Sequence, residues 1–193
     1  MNISLGKDGS AMDTSPAVLT LVLGGARSGK SRYAQALAAR ANDVVYLATA
    51  QASDDAMRVK IERHRKERPS SWKTIEVPLD LDLAVAQYGS KHSFLLIDCL
   101  TTFTANLMEH AGNEGAILTR IDRLRAALIA TTASVVVVSN EVGSGVVPAY
   151  PSGCQFRDLL GEINQVIAQI SSNVVLMVAG CPLALKGSVE LPQ

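Results

Sequence analysis

Residues 18–23 read Val-Leu-Thr-Leu-Val-Leu and pass directly into Gly24-Gly25-Ala26-Arg27-Ser28-Gly29-Lys30-Ser31, ahead of a helix-forming stretch. An apolar β-branched strand, a turn with the spacing G-x-x-x-x-G-K-S and a helix leave little freedom in how the chain folds. The glycines let backbone N–H groups turn inward around phosphate oxygens at the positive end of the helix dipole. Lys30 then reaches the β- and γ-phosphates as a point charge, and the Ser31 hydroxyl is placed to ligate Mg²⁺.

Beyond this phosphate loop, strand and helix signals alternate. Strands are predicted over 18–23, 44–48, 74–77, 94–97, 134–139 and 174–179, and helices over 30–41, 54–66, 79–88, 102–110, 114–131 and 155–171. Such alternation makes an α/β domain with a mostly parallel sheet and helices on both faces. With 193 residues, 48% of them hydrophobic, the chain can bury one full core. Residues 1–17 are predicted to be a flexible N-terminal extension and 18–193 a single nucleotide-binding domain. Ligands of such sheets bind at the carboxyl ends of the strands, so the chemistry is expected in the loops that follow them.

Lys and Arg (18) balance Asp and Glu (18), so charge makes no case for nucleic acid or an anionic membrane as a partner. No apolar run is long enough to span a bilayer, and no secretory signal pattern is present. Three widely spaced cysteines, Cys99, Cys154 and Cys181, indicate neither a disulfide framework nor a zinc site, and a cytoplasmic location is expected.

Three further features bear on function. Asp98 closes the apolar run Phe94-Leu95-Leu96-Ile97, where a carboxylate serves either as a Walker-B ligand for Mg²⁺ or as the cap of a helix near Thr101. Residues 53–69 read as a helix that Ser53 caps, that Asp54 and Asp55 favour at its first turn, and that Pro69 limits. Met57, Ile61 and His64 share one face of it. Arg58, Lys60, Arg63, Arg65, Lys66 and Arg68 place six cations among eleven residues, against Glu62 and Glu67. Such a helix is either a solvated basic face or a triphosphate site in which neutral imidazole attacks an α-phosphate. Finally, the Gly/Pro-bearing segment from Asn140 through Pro148 to Gly153 follows the fifth strand, as a binding loop or a plain connection.

These blocks together resemble the bifunctional adenosylcobinamide kinase / adenosylcobinamide-phosphate guanylyltransferase family over residues 19–187. The anchors are the phosphate loop through Arg32, Tyr46-Leu47-Ala48-Thr49-Ala50, the stretch from His64 to Arg68-Pro69-Ser70-Ser71-Trp72-Lys73-Thr74, Leu96-Ile97-Asp98-Cys99-Leu100-Thr101, Asn140 to Pro148, and Phe156-Arg157-Asp158. The resemblance implies a RecA-like P-loop NTPase fold, a homotrimer and two reactions. A nucleoside triphosphate (ATP or GTP) phosphorylates adenosylcobinamide. GTP then guanylylates a histidine, which passes GMP to adenosylcobinamide phosphate. His64 matches that histidine, and Arg63 stands where some members carry a second one. The resemblance also implies that Ala48, Thr49, Ala50, Arg65, Lys66, Glu67, Arg68, Glu76 and Asp98 line the GTP site.

The phosphate loop is compatible with two other activities, a plain small-molecule kinase with a structural His64 and a nucleotide-dependent regulatory ATPase. Asn-Lys-x-Asp, the guanine-reading signature of switch GTPases, does not occur.

Overall fold

The structure is a computed structural model and describes residues 17–189 except 53, 54, 67, 91 and 93. Ser53, Asp54 and Glu67, together with the side chains of Met57, Lys60 and Arg63, therefore lie outside the described residues.

The elements follow in the order β1 (Leu19–Gly24), α1 (Lys30–Ala38), β2 (Val44–Ala48), α2 (Asp55–Lys66), β3 (Lys73–Glu76), α3 (Leu81–Tyr88), β4 (Phe94–Asp98), α4 (Leu100–His110), α5 (Glu114–Ala130), β5 (Ser134–Val138), α6 (Pro151–Ile170), β6 (Asn173–Val178) and β7 (Cys181–Lys186). The seven strands form one sheet ordered β3-β2-β4-β5-β1-β6-β7, parallel throughout except for the antiparallel β6–β7 pair. Thus β5 sits between the strand that feeds the phosphate loop and the strand that ends in Asp98.

Alternation along each strand divides the core between the two faces. On one face Leu21, Val45, Leu47, Leu95, Ile97, Val135 and Val137 pack beneath α3, α4, α5 and α6. On the other, Val22, Tyr46, Leu96, Val136, Val138 and Val175 pack against Tyr33, Ala34 and Ala38 of α1. Burial of the central positions of β1, β2, β4 and β5 on both faces explains their continuous Val/Leu/Ile runs.

Two differences from the sequence expectations have local causes. Pro151 and Gly153, expected in a loop, belong to the first turn of α6, which begins with Pro151 at its N-terminus. Proline suits that position because its fixed φ is already helical and its missing N–H would find no partner there. Strand β7 carries no apolar alternation and was not expected. It is set by the Ala179–Gly180 turn, whose φ values of 50° and 83° are those of a two-residue hairpin turn. Its Pro182 is tolerated because β7 is an edge.

Candidate active site

The phosphate loop leaves β1 at Gly24 and enters α1 at Lys30. Arg27 (φ 55°) and Gly29 (φ 97°) take left-handed conformations that fold the loop back over the helix start. The loop rests on the β6–β7 turn. Gly180 N–H donates to Ser28 O at 3.0 Å, and a Cβ on Gly29 would lie 3.3 Å from Gly180 Cα. Lys30 is buried, and its Nζ donates to Gly25 O at 2.6 Å. Ser31, in the first turn of α1, is half-buried.

The carboxyl edge of the sheet brings distant residues into line. Ala48 is the register partner of both Glu76 and Asp98, and Asp98 is the partner of Val138. Glu76, Ala48 and Asp98 are thereby neighbours along one edge. Thr49 follows and is fully buried. It accepts from Cys99 N–H at 2.8 Å, donates to Cys99 O at 2.7 Å and contacts the Thr102 hydroxyl. Its N–H donates to Asp98 O and its carbonyl accepts from Asn106 Nδ2. Thr49 thus spends its polar groups on holding the edge together.

Asp98 is half-exposed, and its Oδ2 accepts from the Tyr46 hydroxyl at 2.6 Å. It does not cap α4, where Cys99 is the N-cap and no side-chain cap bond forms. Burial pushes the Tyr46 phenol far above its usual range, and the adjacent Asp98 charge adds to this while Arg68 opposes it. Tyr46 therefore remains a donor at any working pH. The carboxylate of Asp98 and the hydroxyl of Ser31 are hard oxygen donors, and the second Asp98 oxygen is bonded to no described residue. Mg²⁺ takes one or two protein oxygens and completes its shell with water and phosphate, so this donor set fits it.

Helix α2 leaves from the same edge. His64 is half-buried and accepts or donates no hydrogen bond among the described residues, while Arg65 and Lys66 are exposed. Arg68 lies past the helix end with its guanidinium 3.4 Å from the centre of the Tyr46 ring, and Nη1 approaches Thr74 Oγ1 at 3.5 Å.

After β5, the chain is pinned to both neighbours. Asn140 N–H donates to Thr101 Oγ1 at 2.9 Å and Glu141 N–H to Gly24 O at 3.1 Å. The Glu141 carboxylate then folds the loop by accepting from Gly143 N–H at 2.7 Å and Ser144 N–H at 3.1 Å. Asn106 and Gly180 organise this edge without any sequence motif to single them out, and Tyr46 opens the block Tyr46–Ala50 but carries no local sign of its bond to Asp98. Ala179-Gly180 after an apolar run is the one local signal that marks a turn there.

Comparison with known proteins adds the chemistry. The model of the cobinamide kinase / cobinamide phosphate guanyltransferase family matches residues 20–185. The bifunctional adenosylcobalamin biosynthesis protein CobU of Escherichia coli (strain K12) is 38% identical over 181 residues, covering 88% of this chain and 100% of that protein. The bifunctional adenosylcobalamin biosynthesis protein CobP of Pseudomonas aeruginosa is 41% identical over 172 residues, covering 86% and 96%. Among solved structures, a prototypical ATPase from the type III secretion system of pathogenic bacteria is similar at TM-score 0.51 and 12% identity, covering 83% of this chain and 52% of that one. That likeness shows a shared fold alone.

Proposed function

The chain belongs to the cobinamide kinase / cobinamide phosphate guanyltransferase family, and from that premise we propose how its residues divide the two reactions. It is a bifunctional transferase of cobalamin biosynthesis, a kinase and a guanylyltransferase.

In the kinase step, the backbone N–H groups of Gly24, Gly25, Ala26, Arg27, Ser28 and Gly29 cradle the β- and γ-phosphates of ATP or GTP. Lys30 exchanges its bond to Gly25 O for the γ-phosphate and offsets the charge that spreads over the transferring group. Ser31 and Asp98 hold Mg²⁺, which neutralises phosphate charge when bound. The hydroxyl oxygen of the aminopropanol arm of adenosylcobinamide attacks the γ-phosphorus, the β–γ P–O bond breaks, and the nucleoside diphosphate and the hydroxyl proton leave.

In the second step, His64 attacks the α-phosphorus of GTP. An N–P bond forms, the α–β P–O bond breaks and pyrophosphate leaves. The phosphate of adenosylcobinamide phosphate then attacks the same phosphorus, the N–P bond breaks, and adenosylcobinamide-GDP and free His64 result. Ala48, Thr49, Ala50, Arg65, Lys66, Glu67, Arg68 and Glu76 belong to this GTP site, with Thr49 acting through the backbone it fixes. A homotrimer and a cytoplasmic location complete the proposal, and light scattering of the purified protein tests the first.

The observation that carries this reading is the register row Glu76, Ala48 and Asp98, which supports one nucleotide site at the edge from which α2 and His64 depart. The test is mass spectrometry after incubation with GTP and Mg²⁺. A GMP adduct on His64, lost in acid and stable in alkali as a phosphoramidate requires, is the expected result. His64→Asn removes the adduct and leaves more of the kinase step. An adduct on Lys30 or His92, or one that persists in His64→Asn, overturns the assignment. Product phosphorylation with no adduct returns the plain kinase.

A further inference from the structure

Tyr46 is only 1% exposed, yet it touches two groups of opposite charge at the nucleotide edge. Its hydroxyl donates to Asp98 Oδ2 at 2.6 Å, and its ring face carries the Arg68 guanidinium at 3.4 Å. A guanidinium and a carboxylate this close to one ring would ordinarily pair with each other in bidentate fashion. Among the described residues no ion pair joins them. Tyr46 and Thr74 are register partners on β2 and β3, so both side chains project from the same face. Arg68 therefore sits over the Tyr46 ring, with Thr74 at 3.5 Å as its weak lateral contact. A contact over the ring attracts the cation but does not satisfy its N–H donors. Arg68 Nε is buried and has no hydrogen-bond partner among the described residues, a costly state.

We propose that Tyr46 is a positioning residue of the nucleotide site, its ring holding Arg68 and its hydroxyl holding Asp98 so that the two charges meet one metal–triphosphate separately. Were Arg68 and Asp98 paired, a ligand would first have to break that pair, and neither charge would be free to recognise it. With the ring between them, the carboxylate keeps one oxygen for a cation and the guanidinium keeps its fork for phosphate. This rests on the reading of Asp98 and Arg68 as nucleotide-site residues.

Tyr46→Phe keeps the platform and removes the hydroxyl, and Tyr46→Leu removes both. The full chain is titrated with Mn²⁺ in the presence of a non-hydrolysable GTP analogue, followed by electron paramagnetic resonance. Separately, a fluorescent GTP analogue is titrated in EDTA. Tyr46→Phe should raise the Mn²⁺ dissociation constant about tenfold and leave metal-free nucleotide binding unchanged. Tyr46→Leu should weaken metal-free binding as well, by about tenfold. Where Tyr46→Leu does not fold, Arg68→Lys supplies that arm, because it keeps the charge and loses the guanidinium that sits over the ring. In Asp98→Asn, adding Tyr46→Phe should cost nothing further, since Tyr46 acts on the cation through Asp98. Wild-type Mn²⁺ affinity in Tyr46→Phe, or additive losses in the double variant, overturns the proposal. Failure of the wild-type chain to bind either probe overturns the nucleotide-site reading itself, and the proposal with it.

Discussion

Lys30 Nζ lies 2.6 Å from the carbonyl oxygen of Gly25, so the cation of the phosphate loop is held by the loop it serves. A flexible four-carbon stem would otherwise lose rotamer entropy when it engages phosphate, and this bond orders it in advance. Lys30→Ala should lower the kinase rate by about 10³-fold, because most catalysis of phosphoryl transfer is electrostatic. Turnover of adenosylcobinamide measured with saturating triphosphate checks this, and near wild-type rates would remove Lys30 from the mechanism.

Glu141 folds the loop after β5 through two charge-assisted bonds to the N–H groups of Gly143 and Ser144. Glu141→Ala frees both donors to water and should favour loop opening by about 1 kcal/mol, or roughly a fivefold faster limited proteolysis around the exposed Val146. Glu141→Gln still offers an amide oxygen and should be cleaved at nearly the wild-type rate. Equal cleavage of all three proteins would mean that the carboxylate does not order the loop.

The Thr49 hydroxyl bridges the Cys99 backbone and the Thr102 side chain in a fully buried position. Thr49→Val is close in shape but leaves the Cys99 N–H without its acceptor. A loss of about 1–3 kcal/mol in urea unfolding is expected, with Thr49→Ser restoring most of it. A Thr49→Val midpoint equal to wild type would show that the network contributes nothing to stability.

Burial first, and the neighbouring Asp98 charge second, push the Cys99 thiol above its ordinary range. As pH rises Cys99 therefore ionises less readily than an ordinary thiol, and it is only partly exposed whereas Cys181 is exposed. Iodoacetamide at pH 8 should modify Cys181 first and reach Cys99 only in urea, as peptide mapping would reveal. Early labelling of Cys99 in the native protein would contradict its placement behind the Asp98 edge.

Much of the architecture can be read from local patterns, because strand and helix periodicities and phosphate-loop spacing are written over a few adjacent residues. The strand before Gly24, the helix after Lys30, Asp98 at the end of β4 and a basic helix bearing His64 all belong to that kind. Residues 181–186 escape it, since an edge strand with four exposed positions in a row needs no alternation. The start of α6 escapes it too, because Pro151 and Gly153 are turn residues everywhere except at a helix beginning.

The arrangement of the site is of another kind. Tyr46 and Asp98 are 52 positions apart, and nothing near either one names the other. Their meeting depends on β2 pairing with β4, which puts Ala48 beside Asp98 and Tyr46 beside Leu96. Arg68 reaches the same ring because β3 takes the outer side of β2. Likewise Gly24 and Glu141 join because β5 pairs with β1. Short-range chemistry makes the strand, the glycine turn, the helix and the cation-rich segment inevitable, since each depends on neighbours within a few residues. Strand order has no such local origin. It follows from burying every apolar face at once, and that global condition brings a tyrosine, an arginine and an aspartate to one edge.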